Sequence, residues 1–373
     1  MTLAIHSQFD SGSIQVLSLD DANDIQLALR PDNAADILQW FHFRLDGAAH
    51  SACRMRIVNV TEAAFPGGWE DYRAVASYDR QNWFRVPTQF DGEQLIITHT
   101  PEADVVYYAY FEPYTQERHL SLLGEAVCHP LVRMESLVST VQGRSLDLLT
   151  FGKPALHKRK VWIIARQHPG ESMAEWFVEG LVKRLLDEFD PVARECLAQA
   201  VFYIVPNMNP DGSYLGNLRT NAAGVNLNRA WMEPSMITSP EVFAVREHIK
   251  TSGCDLFLDI HGDETIPYVF AAGCEMLPSF NHEQAAAQSR FTKDFVFACP
   301  DFQTRFGYEP SRYSADALTL ASKYIGHTYG CLSLTLELPF KDNANAPDVR
   351  YGWNGARSMR LGAAALLPIL RSL

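Results

Sequence analysis

Long apolar runs are missing from this chain of 373 residues. Stretches such as Val161–Ala165 and Val201–Pro206 fall far short of the roughly 20 residues needed to cross a bilayer. The amino terminus, MTLAIHSQFDSGS, has no basic segment followed by an apolar core, so no secretory signal is expected. Basic charge is scarce as well. Lys+Arg number 32 against 44 Asp+Glu, and the net charge of −12 argues against nucleic acid or an anionic membrane as the main partner. The seven cysteines (Cys53, Cys128, Cys196, Cys254, Cys274, Cys299, Cys331) are scattered, odd in number and never in CxxC spacing. That excludes a cysteine zinc site and a disulfide framework, and points to reduced thiols in a cytoplasmic protein. What remains is ordinary globular composition, 47% apolar and 20% charged, which leaves no room for disorder, collagen or coiled coil. At about 150 residues per domain, the length predicts two or three domains.

Two rhythms divide the chain. From residue 24 to about 112 the period is two: Phe41, Phe43 and Leu45 alternate with His42 and Arg44, and Met55 and Ile57 with Arg54 and Arg56. Asp91-Gly92 between Trp83–Val86 and Leu95–Thr98 signals a hairpin. Asp104–Phe111 reads as another strand. Six or so short strands without a helix predict an antiparallel β-sandwich. After Pro113-Tyr114-Thr115, short apolar strands (161–165, 201–205, 256–260, 332–336) alternate with helix-length segments. This predicts an α/β mixed sheet with helices on both faces. Met173, Trp176, Phe177, Leu181 and Leu185 place a helix over Ser172–Phe189, and Ser172 with Glu175 spells a capping box. The last helix is expected over Gly355–Leu370. The expected domains are therefore 1–115 and 116–373.

In open α/β sheets, ligands bind beyond the carboxyl ends of the strands, and four polar clusters sit at such ends here: Arg166–Glu171, Pro206–Gly212, His261–Asp263 and Glu337. His168, Glu171 and His261 are two imidazoles and a carboxylate, a three-donor zinc set that leaves a fourth position open for water. A lone H-x-x-E is weak evidence; the Gly170 turn and a second histidine at another strand end strengthen it. Asn207, Asn209 and Asp211-Gly212 read as turn residues shaping the rim. Asp259 shares the face of His261 and suits either a partner of that ring or a helix contact. His248 and His327 read as ordinary histidines.

The segments HPGES, NPDG, GNLRTNAAGVNLNRAW, DIHGD and LSLTLELPF, in this order and spacing, resemble the zinc carboxypeptidases. The preceding sandwich ending in PYT resembles the amino-terminal domain of the cytosolic carboxypeptidase subfamily in its bacterial form. The resemblance implies one zinc ion per chain, held by His168, Glu171 and His261. It implies Glu337 as general base, Arg219 polarising the scissile carbonyl, and Asn228 with Arg229 gripping the terminal carboxylate. It implies peptide or protein carboxyl termini as substrates, with acidic termini favoured. Lys323, near Ser322, suits an acidic side chain, or else is a solvated surface lysine; Arg219, Arg229, Arg305 and Arg312 are further candidates for a local basic field. The tyrosine that digestive members place about 22 residues before the base has no clear counterpart, Tyr313 and Tyr324 lying 24 and 13 residues before Glu337. A zinc deacylase of the aspartoacylase or succinylglutamate desuccinylase type, or a non-catalytic peptide binder, are the rival readings. The deacylases carry their extra domain after the catalytic one, and a pure binder needs neither Glu337 nor Arg219.

Overall fold

The computed structural model describes residues 3–309 and 314–373. The amino-terminal part contains two five-stranded sheets. One runs β1 (Ala4–His6), β4 (His42–Asp46), β10 (Val105–Ala109), β6 (Val75–Ser77), β7 (Phe84–Arg85). The other runs β2 (Gln15–Ser18), β3 (Ile25–Ala28), β5 (Cys53–Ile57), β9 (Leu95–His99), β8 (Thr88–Phe90). Phe41, Phe43, Met55, Ile57 and Ile97 fill one core, as the alternation requires. Pairing is antiparallel except between β3 and β5.

Two local expectations fail here. The first arm of the Asp91-Gly92 hairpin is β8, not Trp83–Val86: Phe84 and Arg85 pair with Ala76 and Val75 in the other sheet. Pro87 separates the two strands, because it has no N–H to continue a ladder. His42, expected as the polar partner in the β4 alternation, is buried against Phe9, Trp83 and Tyr107, and its Nδ1 lies 3.0 Å from Ser11 Oγ.

The second part is a seven-stranded mixed sheet in the order β11 (Val132–Ser139), β12 (Ser145–Phe151), β14 (Ala200–Val205), β13 (Arg159–Ala165), β15 (Leu256–Asp263), β17 (Leu332–Pro339), β16 (Phe270–Ala272). The central four are parallel, so their carboxyl ends share one edge. Helices α1 (Gln116–Val127), α2 (Met173–Leu185), α3 (Pro191–Gln199), α4 (Pro210–Leu215), α5 (Pro240–Ser252), α6 (His282–Ala298), α7 (Ala321–Tyr329), α8 (Gly355–Ala364) and α9 (Leu366–Leu370) surround it. Val161 and Ile163 of β13 share a core with Phe177 of α2 and Leu361 of α8. Trp162 and Ile164, pointing the other way, share theirs with Val245 of α5 and Ile325 of α7. The single helix expected over Gly355–Leu370 is interrupted at Ala365. Pro368 lacks an N–H, and its ring would clash with the carbonyl four residues back. No helix among the described residues is long and apolar enough to cross a membrane.

The two parts meet in a continuous apolar core, with Tyr110 stacked on Phe340 at 4.7 Å. Beside it, His119 of α1 lies 2.6 Å from Glu175 Oε1 and 3.4 Å from Asp147 Oδ2. Burial opposes the charged ring, yet these two carboxylates overcome it and raise its pKa to about 9. A folded pKa above the unfolded value of about 6.5 adds stability below that value, lost as pH rises through about 9. The full effect is at most about 3 kcal/mol. Urea unfolding of the wild type should therefore show a steeper loss of stability between pH 6.5 and 9.5 than His119→Gln, and equal slopes would overturn the assignment.

Candidate active site

The turn after β13 begins with Arg166 in the left-handed region at φ 59, which turns the chain off the strand. Its buried guanidinium donates to the carbonyls of Pro169 and Tyr114 and to Glu175 Oε2, at 2.8 to 2.9 Å. The turn is thus braced from beneath by a residue to which the sequence assigned no role. The expected capping box is absent. Ser172 is already helical and donates to the carbonyl of Glu112, while Glu175 is engaged by Arg166 and His119.

His168 Nδ1 lies 2.6 Å from Glu171 Oε1, and His261 Nδ1 lies 2.7 Å from Glu171 Oε2. One donor atom from each residue falls within 4.8 Å of the others, and all three residues are buried. The outer nitrogens are engaged elsewhere. His168 Nε2 is 3.0 Å from Asn226 Oδ1, and His261 Nε2 is 2.9 Å from Asp259 Oδ2. With an ion bound, these acceptors would hold the ring protons on Nε2 and free the Nδ1 lone pairs for the metal, while without one the Nδ1 atoms donate to Glu171. Of the two readings of Asp259, the structure shows the contact with the ring. It is held in turn by Gln167 Nε2 at 2.8 Å, and Gln167 by Trp231 Nε1 at 2.8 Å.

Electrostatics point the same way. Burial, helped by Arg219, pulls the pKa of His168 down to about 4, so its ring is neutral and able to ligate. Burial also works against a charge on His261, but Asp259 and Glu171 on either side push its pKa well up. A ring held between two carboxylates favours a cation at Nδ1, and a divalent metal supplies one. Despite burial, the two imidazoles keep Glu171 ionised. The donor set therefore fits zinc, with two nitrogens, one carboxylate and a fourth position facing the cleft.

Glu337 is in register beside His261 across the parallel β15–β17 pair. Its Oε1 accepts from Tyr308, whose hydroxyl is 2.9 Å from both Glu337 Oε1 and Asp263 Oδ2. Among the described residues its Oε2 has no partner, although it is buried. Burial pushes the Glu337 pKa well up; His261 opposes the rise, while Glu171 and Asp263 add to it. Tyr308 stands 29 residues before Glu337, outside the interval searched in the sequence. Tyr324 instead packs with Trp231 in the core and does not reach Glu337. Tyr313 and Arg312 lie outside the described residues.

The remaining expected residues line the same cleft of about 650 Å³: Arg219, Asn228, Arg229, Ser322 and Lys323. Arg219 lies with its guanidinium 5.0 Å from the Phe65 ring centre. Asn228 accepts from the Ala321 N–H at 2.8 Å, which fixes its side-chain oxygen, and its Nδ2 lies 3.3 Å from His261 Nε2. Asn209 caps α4 and Asp211 binds Thr140 and Arg144, the structural duties expected of that turn. Arg305 lies against Phe306, away from the cleft lining.

Residues 5–111 match the cytosolic carboxypeptidase N-terminal domain and residues 125–355 the zinc carboxypeptidase domain. A metallo-carboxypeptidase from Burkholderia cenocepacia is 59% identical, with a TM-score of 0.98 over 100% of this chain and 99% of that one. A metallo-carboxypeptidase from Pseudomonas aeruginosa, solved with (2-guanidinoethylmercapto)succinic acid, is 47% identical, with a TM-score of 0.95 over 99% and 98% of the two chains. Cytosolic carboxypeptidase 6 of Mus musculus is 28% identical over 378 residues, 91% of this chain and 67% of that protein. These matches favour the peptidase over the deacylase reading. The chain belongs to the zinc carboxypeptidase family, in the bacterial form of its cytosolic carboxypeptidase subfamily.

Proposed function

We propose that the protein hydrolyses the carboxyl-terminal peptide bond of peptides or proteins, with its two domains, 1–115 and 116–373, both contributing to the cleft. The observation that carries this reading is the placing of Glu337. A buried carboxylate, one oxygen of which has no partner among the described residues, stands in register with His261 and lines the cleft that the three donors share. His168, Glu171 and His261 would hold one zinc ion, which when bound supplies a Lewis acid at the reacting carbonyl. Glu337 takes the proton of the attacking water on Oε2 and delivers it to the leaving amine. Tyr308 fixes the other oxygen of that carboxylate. Arg219 stabilises the negative charge that develops on the carbonyl oxygen, a contribution of about 3–4 kcal/mol in comparable sites. Arg229 binds the terminal carboxylate through its planar guanidinium. Asn228, whose side-chain oxygen accepts from the Ala321 N–H, aligns that arginine through its backbone carbonyl, which accepts from Arg229 Nη1 at 2.6 Å.

Acidic termini are the favoured substrates in this proposal. Lys323 of α7 lines the cleft, as do the small residues Ala271, Ala272 and Gly273. The net charge of −12 repels an acidic tail at long range. At physiological salt that field is screened within about 8 Å, and the local cations decide. Peptides differing only in their last residue should lose Glu or Asp faster than Leu or Lys, with the preference weakening at high salt. Equal rates for Glu and Leu would overturn the preference. Release of no terminal residue from any peptide would overturn the peptidase reading itself.

A further inference from the structure

We propose that Asp32, on the loop after β3, is a positioning residue for Arg219, which makes the amino-terminal sheets part of the active site. The inference rests on the reading of Arg219 given above. Asp32 is 5% exposed, and its carboxylate is filled by one tripeptide. Oδ1 accepts from the N–H of Leu218 at 2.6 Å. Oδ2 accepts from the N–H of Arg219 and of Thr220 at 2.9 Å, and from Thr220 Oγ1 at 3.0 Å. Three consecutive N–H groups turned to one side form a concavity suited to an anion. Here the anion is a side chain from 187 residues away in the sequence.

The neighbouring residues repeat the attachment. Arg30 donates to the carbonyl of Leu215 at 2.8 Å, Asn33 to that of Ala222 at 2.7 Å, and Asn217 to Asn33 Oδ1 at 2.6 Å. Gly224, at φ 76, lets the backbone pass Ala34, whose carbonyl oxygen would come within 2.2 Å of an added Cβ. Residues 30–34 thereby clamp residues 215–224. The guanidinium of Arg219 is met by a second group from the same side, the ring of Phe65, an attraction between cation and aromatic face. The clamped tripeptide also reaches the donor turn. Gly170, between His168 and Glu171, donates to the carbonyl of Leu218 at 2.9 Å, and a Cβ there would lie 3.0 Å from Leu218 Cα. Asp32 thus fixes the backbone from which Arg219 reaches the cleft.

An arginine that stabilises charge only in the transition state must be held before the reaction begins, and a displacement of about 1 Å can cost about 10²-fold in rate. Asp32→Asn keeps the shape but turns an N–H toward N–H donors. In the zinc-loaded full chain we expect it to lower kcat/KM by about 10²-fold, mainly through kcat, with zinc content unchanged. Arg219→Ala should lose about 10²–10³-fold, and the double variant should lie within about threefold of Arg219→Ala alone. That lack of additivity is what a merely structural role would not produce. Multiplied losses in the double variant would overturn the inference, as would full activity in Asp32→Asn beside an impaired Arg219→Ala. Full activity in Arg219→Ala would instead overturn the role of Arg219, and the inference with it. If Asp32→Asn does not fold, Thr220→Val removes one of the four donors. It should then show a smaller loss with the same non-additivity, and additive losses would again overturn the proposal.

Discussion

Glu337→Gln is expected to lower turnover by about 10⁴-fold while zinc content and folding survive. The glutamine keeps an oxygen for the Tyr308 hydroxyl and changes only the other end of the group, where Oε2 has no partner among the described residues. A general base is commonly worth about 10²–10⁴-fold, and two proton-transfer duties place Glu337 at the upper end. The stability of the variant should not fall. Burial works against the charged carboxylate, and Glu171 and Asp263 add repulsion, so a neutral amide relieves a cost that the native residue carries for function. Turnover, metal content and the thermal midpoint decide the matter together. A loss smaller than tenfold would show that Glu337 is structural and that another base operates.

The convergence of His168, Glu171, His261 and Glu337 was legible in the sequence because the first two lie in the turn after β13 and the others in the last residues of β15 and β17. Parallel strands deliver their carboxyl ends to one edge, so residues 90 apart, such as Glu171 and His261, converge without any local signal linking them. The alternating apolar positions of β4 and β5 were legible for a similar reason, since one face of each strand must enter the core. What stayed hidden depended on tertiary partners. Ser172 and Glu175 have the spacing of a capping box, but Arg166 and His119 compete for the glutamate and the chain is already helical at the serine. Propensity yields to buried charge there. His42 alternates as an outward residue would, yet Phe9 and Trp83 cover that face of its sheet.

Tyr308 and Asp32 were illegible for a different reason. Both lie in irregular segments, where neither period two nor period 3.6 marks a direction. Pro31-Asp32-Asn33 reads as an ordinary turn, and nothing local shows that its carboxylate reaches the Arg219 backbone. Tyr308 lies 29 residues before Glu337, beyond the interval of about 22 residues that digestive members of the family keep. The structure selects instead by distance, placing that hydroxyl 2.9 Å from Glu337.

His168→Ala should abolish metal binding, and activity with it, whereas the wild type should hold about one zinc per chain. The three donors are held in place by the surrounding protein, and each supplies one of the three ligand atoms. Asn226 and Asp259 occupy the outer nitrogens, Glu171 is shared between the two rings, and all three are buried. The variant would leave one imidazole and one carboxylate, too few to compete with water for the ion. An ion held by these donors would bind only the folded chain, so its removal should also lower the thermal midpoint of the wild type, in proportion to the logarithm of free zinc over the dissociation constant. The same chelator treatment should leave the midpoint of His168→Ala unmoved, which separates loss of the ion from general damage to the fold. Full zinc occupancy in His168→Ala would overturn the ligand set. Peptidase activity that withstands complete chelation would do the same, because Glu337 and Arg219 alone would then have to account for the whole reaction.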